Sequence, residues 1–137
     1  MTETATMTKP QLAAHLNATP FEHPLTESAK GHVHCSQAIL LAYRDRFDLS
    51  VEQCLMWGKG FRSGCTDGGT CGAILAAILM LGFDGKADAP TKAYMEDFRA
   101  KYGSCDCRDL KVPNQPCSHF IEYAAELYEK HANIEQA

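Results

Sequence analysis

Thr70-Cys71-Gly72-Ala73-Ile74-Leu75-Ala76-Ala77-Ile78-Leu79-Met80-Leu81-Gly82 is apolar on every side when wound as a helix. A helix without a polar face has no stable place at a surface, so this segment is expected at the centre of a bundle. Its apolar run, residues 73–81, is far shorter than a membrane span. Upstream, Gly64-Cys65-Thr66-Asp67-Gly68-Gly69 forms a glycine-rich approach; downstream, Gly82, Gly85 and Pro90 punctuate a loop.

Working outward, the neighbouring segments read as the surrounding helices. Residues 91–102 place Tyr94, Phe98 and Tyr102 at four-residue steps, with Gly103 as C-cap. After a loop holding Pro113 and Pro116, residues 118–134 put Phe120, Ala124, Leu127, Tyr128 and His131 on one face. On the other side, residues 33–47 repeat Ala38, Ile39, Ala42 and Tyr43 at helical spacing. Ser50 and Gln53 stand at capping-box offset before a helix that carries Cys54, Leu55 and Trp57 and fades at Gly58 and Gly60. Residues 21–30 read as a short helix stopped by Gly31. Residues 1–20 are polar and expected to be a disordered, frayed segment. No strand alternation survives, so the expected fold is all-α: a single domain over residues 21–137, five or six helices around the 70–82 element.

The chain's 137 residues, 45% of them hydrophobic, suit one domain with a core of ordinary size. A net charge of -4 and the lack of any basic block leave no footprint for nucleic acid. Without an apolar run in the polar N-terminus or a membrane span elsewhere, a soluble, cytoplasmic protein is expected, in a compartment that keeps thiols reduced. Seven cysteines are many for that setting, and an odd number does not make a simple disulfide framework.

Four of them, Cys35, Cys71, Cys107 and Cys117, fall at expected helix starts. A thiol there meets backbone N–H groups and the positive end of the helix dipole, which favour thiolate. Thiolate attacks disulfides, ligates soft metals and holds iron–sulfur clusters. Four element ends meeting at one edge of a bundle suit a tetrathiolate site or a relay of thiols. Gly68, Gly69 and Gly72 would let backbone N–H groups point at sulfur. Cys54, beside Leu55, reads as a packed hydrophobe, while Cys65 and Cys105 sit in loops near the sharper candidates. His34 and His119 flank favoured cysteines and allow mixed Cys/His zinc coordination, although the short C-x-x-C hairpins of structural zinc sites are absent. The glycine-rich loop lacks the Gly-Lys-Ser/Thr ending of a phosphate loop.

The order Cys35-Ser36-Gln37-Ala38, Cys71-Gly72-Ala73, Cys107-Arg108-Asp109-Leu110, Cys117 resembles the family of redox-active proteins named for its C_GCAxxG_C_C pattern. The likeness spans about residues 28 to 130. It implies redox activity through four cysteines, and a related module in split-Soret-type cytochromes is similar to an iron–sulfur-binding domain. Ala76 stands where the pattern has glycine, and Cys105-Asp106-Cys107 offers two candidates for the third cysteine.

The first functional expectation is an iron–sulfur cluster on Cys35, Cys71, Cys107 and Cys117, serving electron transfer or redox sensing with a redox partner protein. The alternative is a thiol–disulfide oxidoreductase in which Cys71 is the low-pKa nucleophile and Cys107, Cys105 or Cys35 resolves. A structural zinc module is the third. Two chains meeting across the cysteine edge would make a homodimer.

Overall fold

Gly69 turns the chain with a positive φ of 73°, and Cys71, at φ -55° and ψ 132°, launches the helix that follows. The computed structural model describes residues 7–24, 26, 31–60, 69–86, 88–110 and 117–134. Among them every regular element is helical: α1 (Lys9–Ala18), α2 (Cys35–Ala42) with a 3-10 turn at Arg44–Phe47, α3 (Val51–Lys59), α4 (Gly72–Phe83), α5 (Ala89–Tyr102), the single turn α6 (Cys107–Leu110) and α7 (Cys117–Ala132).

The fully apolar helix is α4, and it packs against α2, α5 and α7. Gly72, Ala73, Ile74, Ala76, Ala77, Met80 and Leu81 are buried. The enclosure is not complete: Leu75, Ile78 and Leu79 are half-buried, and Phe83 is exposed. Small residues dominate the covered side, which lets the neighbouring backbones close in. The amphipathic α7 runs along α1, α2, α4 and α5, burying Phe120, Ile121, Ala124, Ala125, Leu127 and Tyr128.

Three expectations need correction. The segment over residues 1–20 is not frayed throughout, because it holds α1, packed on α2 and α7. Thr8 and Gln11 form a reciprocal capping box and Pro10 sits in the first turn, a start signal at low apolar content. The helix over residues 33–47 is two elements: α2 ends at Ala42, Tyr43 leaves helical geometry, and a 3-10 turn follows before Asp48 in the left-handed region. No helix forms over residues 21–24; residues 25 and 27–30 lie outside the described residues.

At the far end of α4 from Cys71, polar groups tie helices together. Tyr128 donates to Asp84 Oδ2 at 2.5 Å. Arg46 donates to Tyr128 Oη at 3.1 Å and to Asp84 Oδ1 at 2.9 Å. Beside them the buried Tyr43 hydroxyl donates to the carboxylate of Glu129. Each buried polar group here has a partner, which makes the burial tolerable.

Candidate functional site

Cys35 is the first residue of α2. Its helix start is set by His34 in extended geometry, whose backbone N–H donates to the Gln37 side chain at 2.8 Å. Two further side chains of that turn reach across to the end of α3. Ser36 donates to the Gly58 carbonyl at 2.5 Å, and Gln37 to the Leu55 carbonyl at 2.8 Å. Gly58 permits this approach: a Cβ there would lie 2.8 Å from Gln37 Cγ and 2.9 Å from Gln37 Cα. The first turn of α2 is thereby clamped in place.

The clamp sets Cys35 beside Cys71, the N-cap residue of α4, close enough for Cys35 to be the strongest influence on the Cys71 thiol. Cys71 is 7% exposed, whereas Cys35 is only half-buried. The helix-start argument predicted a depressed pKa for Cys71, and the structure places it well above the ordinary thiol value. Interaction with the Cys35 side chain is the largest cause, followed by burial and by the negative charge Cys35 carries as thiolate. The Ala73 and Ile74 backbone N–H groups do pull downward, as a helix N-terminus should, but they lose.

A third segment joins the same place. Thr70 and Asp106 form an isolated antiparallel bridge, with Cys71 N donating to Cys105 O and Cys107 N to Gly69 O, both at 2.8 Å. This register puts Cys105 directly opposite Cys71, and Cys107 opposite Gly69. Cys105 is 4% exposed, with its thiol on the Met95 carbonyl at 3.6 Å. Burial raises its pKa. Ser104 steadies the loop, donating to Asp109 at 2.8 Å and accepting from the Asp106 N–H at 3.0 Å. Cys107 opens α6 and is half-buried.

Cys117 opens α7, and its side chain lies outside the described residues. The Phe120 and Tyr102 rings, 4.8 Å apart, set the first turn of α7 beside the end of α5, just before the Cys105 loop. The starts of α2, α4, α6 and α7 thus gather toward one end of the bundle. Among the described residues no three His, Cys, Asp or Glu side chains stand together as a metal-binding set. Cys65 and Gly68 lie outside the described residues. Gly69 accepts from Cys107, and Gly72 is the buried first residue of α4. His34 caps α2, and His119 is exposed on α7. Cys54 is buried away from the cluster, in the core under α3.

Sequence reasoning treated Tyr94 only as a core aromatic. It is fully buried, donates to the Ala124 carbonyl at 2.7 Å and lies within electrostatic reach of Cys71 and Cys105. Burial first, then those two sulfurs, raises its pKa. Nothing local in the sequence signals this neighbourhood, because it depends on the bridge.

Among the described residues no helix is long and apolar enough to cross a membrane. No curated protein and no solved structure matches the chain. One family does: residues 33–131, from the strand of chain before Cys35 to the last turn of α7, match the family described as Putative redox-active protein (C_GCAxxG_C_C), and this chain belongs to it.

Proposed function

We propose that the protein is a thiol–disulfide redox protein whose working pair is Cys35 and Cys71. The observation that carries this reading is the meeting of the two thiols at the first turns of α2 and α4, where Cys35 is the strongest influence on the Cys71 thiol. A sulfur–sulfur bond of about 2 Å joins thiols brought together in this way. Attack falls to Cys35, the half-buried member, because Cys71 is covered. The Cys35 thiolate attacks a disulfide R–S–S–R′ and expels R′S⁻, which takes up a proton. Cys71 then gives up its proton, attacks Cys35 Sγ and expels RS⁻, protonated in turn. The protein ends as the Cys35–Cys71 disulfide and the substrate as two thiols. The Ala73 and Ile74 N–H groups face the charge that Cys71 develops in the second step.

Exposure to glutathione disulfide followed by alkylation and peptide mapping tests this. The expected product is a linked pair of peptides carrying Cys35 and Cys71, absent in Cys35→Ser and in Cys71→Ser. If both cysteines stay alkylatable throughout, the reading is wrong.

A second reading is favoured by the gathering of four helix starts at one end, through the Thr70–Asp106 bridge and the Tyr102–Phe120 contact. Thiolates of Cys35, Cys71, Cys107 and Cys117 are a chemically fitting donor set for an iron–sulfur cluster. Such a cluster would supply one-electron transfer, with the chain providing thiolates and backbone N–H donors. Anaerobically purified protein would then be brown, with iron and acid-labile sulfide, and Cys71→Ser would remove the visible absorption.

A further inference from the structure

Cys71 has two cysteine neighbours on two different segments, and the exchange just described uses one of them. Cys105 faces Cys71 across the antiparallel bridge, held there by the Cys71 N–H to Cys105 carbonyl bond at 2.8 Å. That bond brings the two cysteines' main chains into direct contact, and disulfides join cysteines whose Cα atoms lie within roughly 4.4–6.8 Å. Their side chains leave the pair on the same side, and Tyr94 senses both sulfurs. The Cys105 thiol makes a long contact of 3.6 Å to the Met95 carbonyl. Cys107, two residues on, faces glycine instead.

Cys35 is half-buried, whereas Cys71 and Cys105 are both buried, 7% and 4% exposed. Of the three thiols, Cys35 is the one open to solvent.

We propose that Cys105 is the inner thiol of a three-cysteine relay, taking Cys71 over from Cys35 after the first disulfide has formed. The inference rests on the thiol–disulfide reading above. The Cys105 thiol loses its proton and attacks Cys71 Sγ of the Cys35–Cys71 disulfide. The new Cys71–Cys105 bond forms as the Cys35–Cys71 bond breaks, and the departing Cys35 thiolate takes up the proton. One disulfide is exchanged for another, so no oxidant or reductant is consumed. The oxidised bond moves into the core, and Cys35 returns as a thiol able to meet another substrate molecule.

The sequence makes the test direct. Endoproteinase cleavage before aspartate cuts between Cys105 and Asp106, which separates Cys105 from Cys107 on different peptides. Full-length protein is oxidised with glutathione disulfide, quenched with acid, alkylated and digested in this way. In the wild type both the Cys35–Cys71 and the Cys71–Cys105 linked peptides are expected. In Cys35→Ser, diamide oxidation still yields Cys71–Cys105. In Cys105→Ser, only Cys35–Cys71 remains, and iodoacetamide labelling of Cys35 after oxidation falls several-fold below that of the wild type. Circular dichroism of each variant confirms that the helices persist. A Cys35–Cys71 bond without any Cys71–Cys105 linkage, in the wild type and in Cys35→Ser, overturns the relay and leaves the working pair intact. A Cys71–Cys107 linkage in place of Cys71–Cys105 also overturns it. The loss of both Cys71 linkages overturns the relay and the thiol–disulfide reading together.

Discussion

Cys54 and Cys71 show how differently one functional group behaves in two places. Cys54 is wholly buried in the core, and desolvation pushes its pKa up to about 11 against the pull of Arg44. The fold therefore holds the neutral thiol more tightly than the unfolded chain does. This contribution is complete below the unfolded value of about 8.5 and is lost as pH rises through the folded value. Wild type is expected to lose about 2–3 kcal/mol more than Cys54→Ala between pH 8 and pH 11. Urea unfolding of both proteins across that range measures the difference. Cys71 was legible in the sequence as a helix-start thiol, and its N–H neighbours Ala73 and Ile74 do act on it as expected. Cys35 was legible as a candidate partner, but its upward effect on the Cys71 thiol was not. Cys35 lies far along the chain, and only the packing of α2 on α4 brings it close enough to reverse the sign. Native-state alkylation at neutral pH is accordingly expected to label Cys35 several-fold faster than Cys71, read by mass spectrometry of the two peptides.

At the scale of elements, start and stop signals were the readable part. The Ser50 and Gln53 side chains form the expected reciprocal cap on α3, and Gly103 closes α5 with a positive φ of 81°. The same grammar is written at Thr8 and Gln11, where low apolar content masked it. Thr8→Ala is expected to cost about 1 kcal/mol, the usual loss of an N-cap, measurable by chemical denaturation. Less legible was the contact between α2 and α3, because it depends on what Gly58 lacks. A methyl group there meets the backbone of Gln37, which cannot give way as the tip of a flexible side chain would. Gly58→Ala should therefore destabilise by about 1–3 kcal/mol. It should also shift Cys35 from Cys71, lowering the yield of their disulfide under fixed oxidation, a readout that stability loss elsewhere would leave unchanged. The Thr70–Asp106 bridge was wholly illegible, since one isolated pair has no periodicity to betray it.

For the molecule as a whole, the all-helical bundle followed from the apolarity of α4 together with the helical periodicity of the segments around it. Joining Cys35 to Cys71 would close a long ring of chain and tie α2 to α4. The loop-entropy relation gives about 3–4 kcal/mol for a ring of this size. The oxidised protein is expected to melt roughly 10 °C above the reduced one, by calorimetry with and without reductant.

Helix α4 has its sulfur end at Cys71, and just past its other end Asp84 is held by Tyr128 and Arg46. Its last residue, Phe83, rests its ring 6.3 Å from that of Trp57, the chain's single tryptophan, and both are exposed. A rigid rod thus runs from the chemistry to a natural fluorophore. Trp57 emission is therefore expected to differ between the oxidised and the reduced protein, an intrinsic optical reading that needs no attached dye; identical spectra would show that the far end of α4 does not respond.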